Sequence, residues 1–339
     1  MAAAFDDETS ARPEQMILGI QAGERRSLAH AITLVESTRT DHRAQAAEIL
    51  EAVLPLTGNS TRIGISGSPG VGKSTFIEAL GLHIVNTGRR VAVLAVDPTS
   101  SRTGGSILGD KTRMVDLSNR TDAFIRPSPG GNQLGGVARH TREAMLLCEA
   151  AGFDVVIVET IGVGQSEVAV SDMVDLFLLL VAPGGGDELQ GIKRGIMELA
   201  DIVVVNKADG DLAAAAGRTT AEYTNALHLI RPKWASWTPQ ALSCSSLQRD
   251  GIASAWETIE AFGAAIEQSG ERSVNRSQQS VAWMWSEVQD TLLDQLRTDS
   301  EVQALVLDFE RQVAAGTTSP THAARSLLNV FGNSPVAGS

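Results

Sequence analysis

Cysteine is scarce in this 339-residue chain: Cys148 and Cys244 stand far apart and form no spaced pair. That excludes a disulfide framework and a thiolate metal cluster, and it reads as two buried thiols in a reducing compartment. Positive charge is also in deficit, with 28 Lys and Arg against 40 Asp and Glu and a net charge of −12. A general binder of nucleic acid or of acidic membranes needs a basic face, so neither partner is expected. No run of eighteen apolar residues exists, so no membrane span is expected. The start, Met1-Ala-Ala-Ala-Phe-Asp-Asp-Glu8, lacks a basic and then an apolar signal region, and a cytoplasmic protein is expected. Internal repeats are lacking, and Ala213–Ala216 is the single low-complexity tract. What remains is a chain 43% hydrophobic, enough for a proper core and for two domains or one with extensions.

The most informative stretch is Gly67-Ser-Pro-Gly-Val-Gly-Lys-Ser74, followed by Thr75. It fits G-x-x-x-x-G-K-[ST] at every fixed position. The glycines Gly67, Gly70 and Gly72, with Ser68, Pro69 and Val71 between them, let backbone N–H groups turn inward around phosphate oxygens. Lys73 supplies a charge for the outer phosphates, and the Ser74 hydroxyl is a Mg²⁺ ligand. An apolar run, Arg62–Ser66, precedes the loop as a strand. Helical spacing at Phe76, Leu80 and Ile84 follows it, with Gly88 as the stop. The helix N-terminus adds partial positive charge to the same place.

The rest of the chain falls into three parts: 1–57 helical, 58–268 alternating, 269–339 helical again. In the first part, Leu28, Ile32 and Val35 mark one apolar face. Ala46, Ile49, Leu50, Val53 and Leu54 mark another, with a cap at Asp41 and a stop at Pro55. In the second part, apolar strands are predicted at 90–96, 123–125, 153–159, 174–181 and 202–206. Helices are predicted at 134–151 and 187–199. Apolar strands without strict alternation, separated by helices, predict a doubly wound α/β fold with a mostly parallel sheet, the P-loop NTPase class. Ligands in such sheets lie beyond the carboxyl ends of the strands, where Asp97, Glu159 and Asn206 all fall. In the third part, helices are predicted at 278–296, 302–314 and 320–330. Trp283, Trp285, Val288, Leu292 and Leu296 put apolar surface on a thin arm, which suits self-association better than packing within the chain.

Asn206-Lys207-Ala-Asp209 closes the strand 202–205. The Asp209 carboxylate can accept two hydrogen bonds from guanine N1–H and its exocyclic amine, a donor pair that adenine lacks, so GTP is expected over ATP. Ser245-Ser246-Leu247 follows an apolar pair and is a candidate loop to back the guanine through backbone N–H groups. Asp97 and Glu159 are the carboxylate candidates for Mg²⁺, which takes few protein oxygens, and Asp110 is a third. Glu159-Thr-Ile-Gly-Val-Gly-Gln-Ser-Glu167 has the features of a switch, with Gln165 and Glu167 as candidates to reach the nucleophilic water. Ala182–Lys193 is a second glycine-rich segment, carrying Asp187, Gln190 and Lys193.

Together these residues resemble the MeaB/ArgK GTPases that serve adenosylcobalamin-dependent acyl-CoA mutases. The shared text includes Ala31–Ser37, Gly67–Thr75, Ala95–Met114, Ile125–Pro129, Glu159–Glu167, Gly186–Lys193 and Asn206–Asp209. The resemblance runs from about residue 27 to 260, with a similar helical pattern beyond. It implies a helical N-terminal extension, a central GTPase domain and a C-terminal helical dimerisation arm making a homodimer. It implies that Asp97, Asp110 and Glu159 surround Mg²⁺, that Arg113 senses the nucleotide beside the first switch, and that 183–194 form a further switch facing the mutase. The implied role is chaperone-like: GTP binding and hydrolysis, with Lys73 and Glu159 at the reaction, gate cofactor delivery and protect the mutase, with no cobalamin held by this chain. Ser245-Ser246-Leu247 departs from the usual Ser-Ala-Leu, and Gly184-Gly-Gly186 is richer in glycine than expected.

Two other functions compete. A nickel metallochaperone GTPase wants His or Cys clusters, and six scattered histidines do not supply them. A kinase tied to amino-acid transport needs an acceptor pocket, and nothing in the sequence nominates one.

Overall fold

The computed structural model describes residues 13–96, 114–127, 134–160, 166–184 and 194–333. The chain gathers into two compact units, one up to Gln279 and one from Ser280 onward.

The first unit is built on seven strands: β1 Thr61–Gly67, β2 Val91–Val96, β3 Ala123–Pro127, β4 Val155–Thr160, β5 Leu176–Val181, β6 Ile202–Val205 and β7 Gln240–Ser243. Their order is β3-β2-β4-β1-β5-β6-β7, and every pair is parallel. The chain leaves β1 to one side for β2–β4 and to the other for β5–β7, so the switch point of the sheet lies at β1. Ile63 sits opposite Ile157 on one neighbour and Leu176 on the other.

Alternate residues of each strand feed two separate cores. Ile63, Ile65, Val155, Ile157 and Leu178 face α4 (Lys73–Asn86) and the helix Ile252–Gln268. Ala92, Leu94, Val156, Val158 and Leu179 share the opposite core with α1 (Pro13–Gln21), α2 (Arg25–Val35), α3 (Thr40–Val53), α5 (Leu134–Ala150) and the helix Ala213–Leu227. Burial on both faces explains why the strands read as unbroken apolar runs. Gly64 interrupts β1 because a Cβ there would stand 2.8 Å from Val170 Cγ1. Val170 belongs to α6 (Ser166–Ser171). The helices at Ala213–Leu227 and Ile252–Gln268, α7 and α8, and the strand β7 complete the alternation.

The expected apolar faces of α2 and α3 are buried, apart from Leu50, which is half-buried, and Leu54. Helix α3 ends at Val53, and a 3₁₀ turn over Leu54–Leu56, carrying Pro55, leaves Leu54 49% exposed. Asp41 is not the cap of α3. Arg39 holds that position, and Asp41 sits in the first turn, 2.6 Å from the Arg39 guanidinium. The hydrogen bond to Arg39 holds its carboxyl down at about 2. Of the helix expected at 187–199, residues 187–193 lie outside the described residues, and Arg194–Met197 form a single helical turn.

Helix α9, Glu271–Thr298, is longer than the apolar spacing predicts. In the second unit, α10 (Ser300–Ala314) is capped by Asp299, whose carboxylate accepts from Glu301 N–H and Val302 N–H at 2.9 Å each. It packs on α11 (Pro320–Asn333). Among the described residues no helix is long and apolar enough to cross a membrane.

Candidate functional site

The site grows from the carboxyl ends of β1, β4 and β6, at the switch point where ligands of open α/β sheets collect. Strand β1 runs into the loop 68–72, and α4 starts at Lys73. Gly72 caps that helix with φ +95°, a left-handed backbone open to glycine. Space demands glycine there too, since a Cβ on Gly72 would stand 2.8 Å from Asn206 Nδ2. A Cβ on Gly67 would stand 2.4 Å from the Leu180 carbonyl.

Lys73 is half-buried inside this loop. Its ammonium donates to the Gly67 carbonyl at 2.7 Å and to the Ser68 carbonyl at 3.4 Å. Burial pulls its pKa down, and the carboxylates of Glu159 and Glu167 oppose that shift. Both acceptors are neutral carbonyls, so a phosphate oxygen offers this cation a stronger partner. Glu159 is the last residue but one of β4, buried, and its Oε1 accepts from the Ser74 hydroxyl at 3.4 Å. One hydroxyl and one carboxylate, both hard oxygen donors, thus stand together beside the phosphate loop, which suits Mg²⁺. Beneath them, Thr160 Oγ1 donates to Ser66 Oγ at 2.9 Å. Glu167 lies in the first turn of α6, fully buried, close enough for its charge to act on Lys73.

The second half of the site closes on the first through side chains. Asn206 is buried just past β6, and its Nδ2 donates to the Val71 carbonyl at 2.9 Å. Lys207 Nζ donates to the Gly70 carbonyl at 2.7 Å, and its backbone takes φ +60°, uncommon outside glycine. Asp209 accepts from the Ser245 hydroxyl, whose oxygen also accepts from Gln248 N–H at 3.1 Å. The Ser245–Leu247 loop is pinned by paired backbone hydrogen bonds between Ser245 and Asp250. Leu247 is 80% exposed at the lip, an apolar side chain open to a planar ligand.

The structure therefore brings Gly67–Ser74, Glu159, Glu167, Asn206, Lys207, Asp209 and Ser245–Leu247 to one end of the sheet. Thr75 follows in the first turn of α4. Asp97, Asp110, Arg113, Gln165, Asp187, Gln190 and Lys193 lie outside the described residues. Sequence reasoning missed the lysine contact from Lys207 to the phosphate loop, the Thr160–Ser66 pair and the thiol of Cys244, which points at Asn206 Oδ1 from 3.6 Å. No spacing rule flags such contacts, because each joins residues far apart in sequence.

Known proteins resemble this chain over most of its length. Residues 28–301 match the family described as methylmalonyl-CoA mutase-associated GTPase MeaB. A Caulobacter vibrioides homologue is 56% identical over 311 residues, covering 92% of this chain and 95% of that one. The Escherichia coli protein named GTPase ArgK is 47% identical over 313 residues, covering 92% and 95%. A solved structure described as an LAO/AO transport system kinase is 39% identical, with a TM-score of 0.75, covering 98% of this chain and all of that one. With the phosphate loop and base motif assembled as above, the chain is a GTPase and belongs to the MeaB family.

Proposed function

We propose that this protein is a Mg²⁺-dependent GTPase that acts as chaperone to an adenosylcobalamin-dependent acyl-CoA mutase of the methylmalonyl-CoA type. In this reading it gates cofactor loading, protects the mutase, holds no cobalamin itself, and works in the cytoplasm as a homodimer. The observation that carries the nucleotide half is the bond from Asn206 Nδ2 to the Val71 carbonyl. It makes base recognition and phosphate cradle one rigid object, so a nucleotide is held at both ends at once. The family description supports the mutase half.

The roles follow from chemistry. Lys73 turns from its backbone carbonyls to the outer phosphates and offsets the charge that spreads over them during phosphoryl transfer. The inward N–H groups of residues 68–75 hold the phosphates in line. Ser74 and Glu159, with Asp97 and Asp110, would hold the ion; Mg²⁺ would supply charge neutralisation at the phosphate oxygens. Gln165 and Glu167 orient the attacking water. Asp209 accepts from guanine N1–H and N2, and Leu247 lies against the base. Arg113 and the segment bearing Asp187, Gln190 and Lys193 report the nucleotide state to the partner, because a timer needs a segment that touches both.

The relative described as a transport kinase makes phosphotransfer the competing reading. One experiment separates them. Purified protein is incubated with GTP or ATP, with and without Mg²⁺, and with a cobalamin-dependent acyl-CoA mutase; free phosphate and phosphoprotein are both quantified. Expected are Mg²⁺-dependent release of free phosphate, preference for GTP, and acceleration by the mutase. Transfer of phosphate to protein would favour the kinase, and indifference to every mutase would refute the chaperone role.

A further inference from the structure

Strands β1 and β4 deliver the two oxygen donors, Ser74 and Glu159, that stand beside the phosphate loop. Ser74 follows β1 through that loop, and Glu159 is one residue short of the end of β4. Their own contact is 3.4 Å, near the outer limit of a hydrogen bond, so it fixes their spacing poorly. The register of β1 with β4 ends in the same place, at Ile65 opposite Glu159. Past that row β1 stays with β5, with Ser66 opposite Leu179 and Gly67 opposite Leu180. Strand β4 stays with β2, with Thr160 opposite Val96. The seam between β1 and β4 is thus where the two halves of the sheet begin to part.

One bond carries the pairing a residue further: Thr160 Oγ1 donates to Ser66 Oγ at 2.9 Å. The two residues are 0% and 1% exposed, so bulk water does not compete for either hydroxyl. Ile65 and Ile157 belong to the core on the α4 side, and Val158 to the opposite core. Strand alternation therefore sets Ser66 and Thr160 on the face away from α4, behind Glu159. From there they act on the donors through the backbone alone. Two apolar side chains would fill the same space with no polar atom to satisfy. A hydroxyl pair adds a fixed length and direction across the seam, which packing does not.

We infer that Thr160 and Ser66 are positioning residues for Mg²⁺: their hydroxyl bond ties the tip of β4 to the start of the phosphate loop and so sets the spacing of Glu159 and Ser74. This inference rests on the Mg²⁺-dependent reading of the site and adds to it the residues that hold its donors in place.

The test measures binding of the non-hydrolysable β,γ-imido analogue of GTP by calorimetry, first in EDTA and then across a range of Mg²⁺ concentrations. The full chain is compared with Thr160→Val, Thr160→Ser and the pair Ser66→Ala with Thr160→Val, with a melting curve for each. Thr160→Val keeps the shape of the side chain and removes the donor. It should leave affinity in EDTA unchanged and raise the Mg²⁺ concentration at half-effect about five- to tenfold, the scale of one hydrogen bond. Thr160→Ser, which keeps the hydroxyl, should restore the wild-type value. The double variant leaves no unpaired hydroxyl, so it should melt close to the wild type yet keep the raised Mg²⁺ requirement. An unshifted Mg²⁺ requirement in Thr160→Val overturns the inference and leaves the Mg²⁺ reading intact. A double variant that recovers both melting point and Mg²⁺ requirement makes the pair a matter of stability alone and also overturns it. A wild type whose affinity ignores Mg²⁺ removes the metal reading, and the inference falls with it.

Discussion

At the scale of single residues, Lys73 and Asp201 show two opposite uses of a buried charge. Lys73 is an ammonium resting on carbonyls, its pKa lowered by burial yet supported by Glu159 and Glu167. Lys73→Ala should therefore leave the fold nearly unchanged and cut GTP hydrolysis by about two orders of magnitude or more. Phosphate release and a melting curve on the same sample check both halves; unchanged turnover would remove Lys73 from the reaction. Asp201 lies fully buried at the start of β6, accepting from Phe177 N–H and Trp234 Nε1–H at 2.8 Å each. Burial outweighs these donors and the Lys233 charge and pushes its carboxyl up to about 6. Because the folded value exceeds the unfolded one, the protonated form is favoured by folding. The stability it contributes is present at low pH and is lost as pH rises through about 6. Raising pH from 4 to 7 should then weaken the wild type relative to Asp201→Asn by up to about 3 kcal/mol. Denaturant unfolding of both proteins across that range reads the difference, and parallel curves would contradict it. The phosphate loop and base motif were legible because each is a contiguous string whose chemistry needs fixed spacing. Asp201 was not, because a carboxylate before an apolar strand looks like any strand-start acid until two tryptophans close over it.

At the scale of elements, β1 to β6 and the helix after the phosphate loop were legible from apolar runs; β7 was not, because Gln240–Ser243 is a half-exposed edge strand with a single apolar pair, and the ends of elements were less legible too. The apolar rhythm of α9 begins near Val281, which is why a start at 278 was expected. The helix begins at Glu271 because its first turns do polar work. The Glu271 carboxylate accepts from Ala235 N–H at 2.7 Å and Ser236 N–H at 3.1 Å. The Ser236 hydroxyl, those backbone bonds and the Ser269 hydroxyl pull its pKa down to about 2. Arg276 reaches the amino-terminal edge of the sheet. It forks onto Asp175 at 2.8 and 2.7 Å and donates to the Gly58 carbonyl at 2.5 Å and the Ser60 carbonyl at 2.6 Å. Asp175 is 1% exposed at its side chain and also accepts from Arg62 N–H at 2.9 Å. Arginine suits this place because its planar fork serves a carboxylate and two carbonyls together. Arg276→Ala strands a buried carboxylate, so it should cost about 3–5 kcal/mol of stability. Chemical denaturation measures it, and a loss under 1 kcal/mol would show the clamp to be incidental.

At the scale of the whole molecule, one apolar stripe stands exposed among the described residues. Val281, Trp285, Val288 and Leu292 recur at helical spacing on α9, with exposures of 54%, 57%, 39% and 49%. Met284 and Leu293 flank them at 52% and 49%. A contiguous run of large apolar side chains on a helix marks an interaction surface, and a second copy of the chain would satisfy it with the symmetry that most oligomers use. Composition pointed to this arm, but its boundary needed the structure. A cut before residue 271 would remove Arg276 and leave Asp175 without its main partner, so loss of folding would be mistaken for loss of assembly. A cut after Gln279 keeps Arg276 and the bond from Gln279 Nε2 to the Val174 carbonyl at 2.8 Å. The chain ending at Gln279 should be a folded monomer that binds GDP with the affinity of the full protein, since Lys73, Asn206 and Asp209 all precede the cut. The full chain should be a dimer, and Trp285→Glu together with Leu292→Glu should convert it to monomer with nucleotide binding intact. Light scattering over a range of concentrations, with calorimetry for GDP, decides the matter: a full chain that stays monomeric at high concentration, or a double variant that still pairs, would show that α9 covers its stripe in some other way.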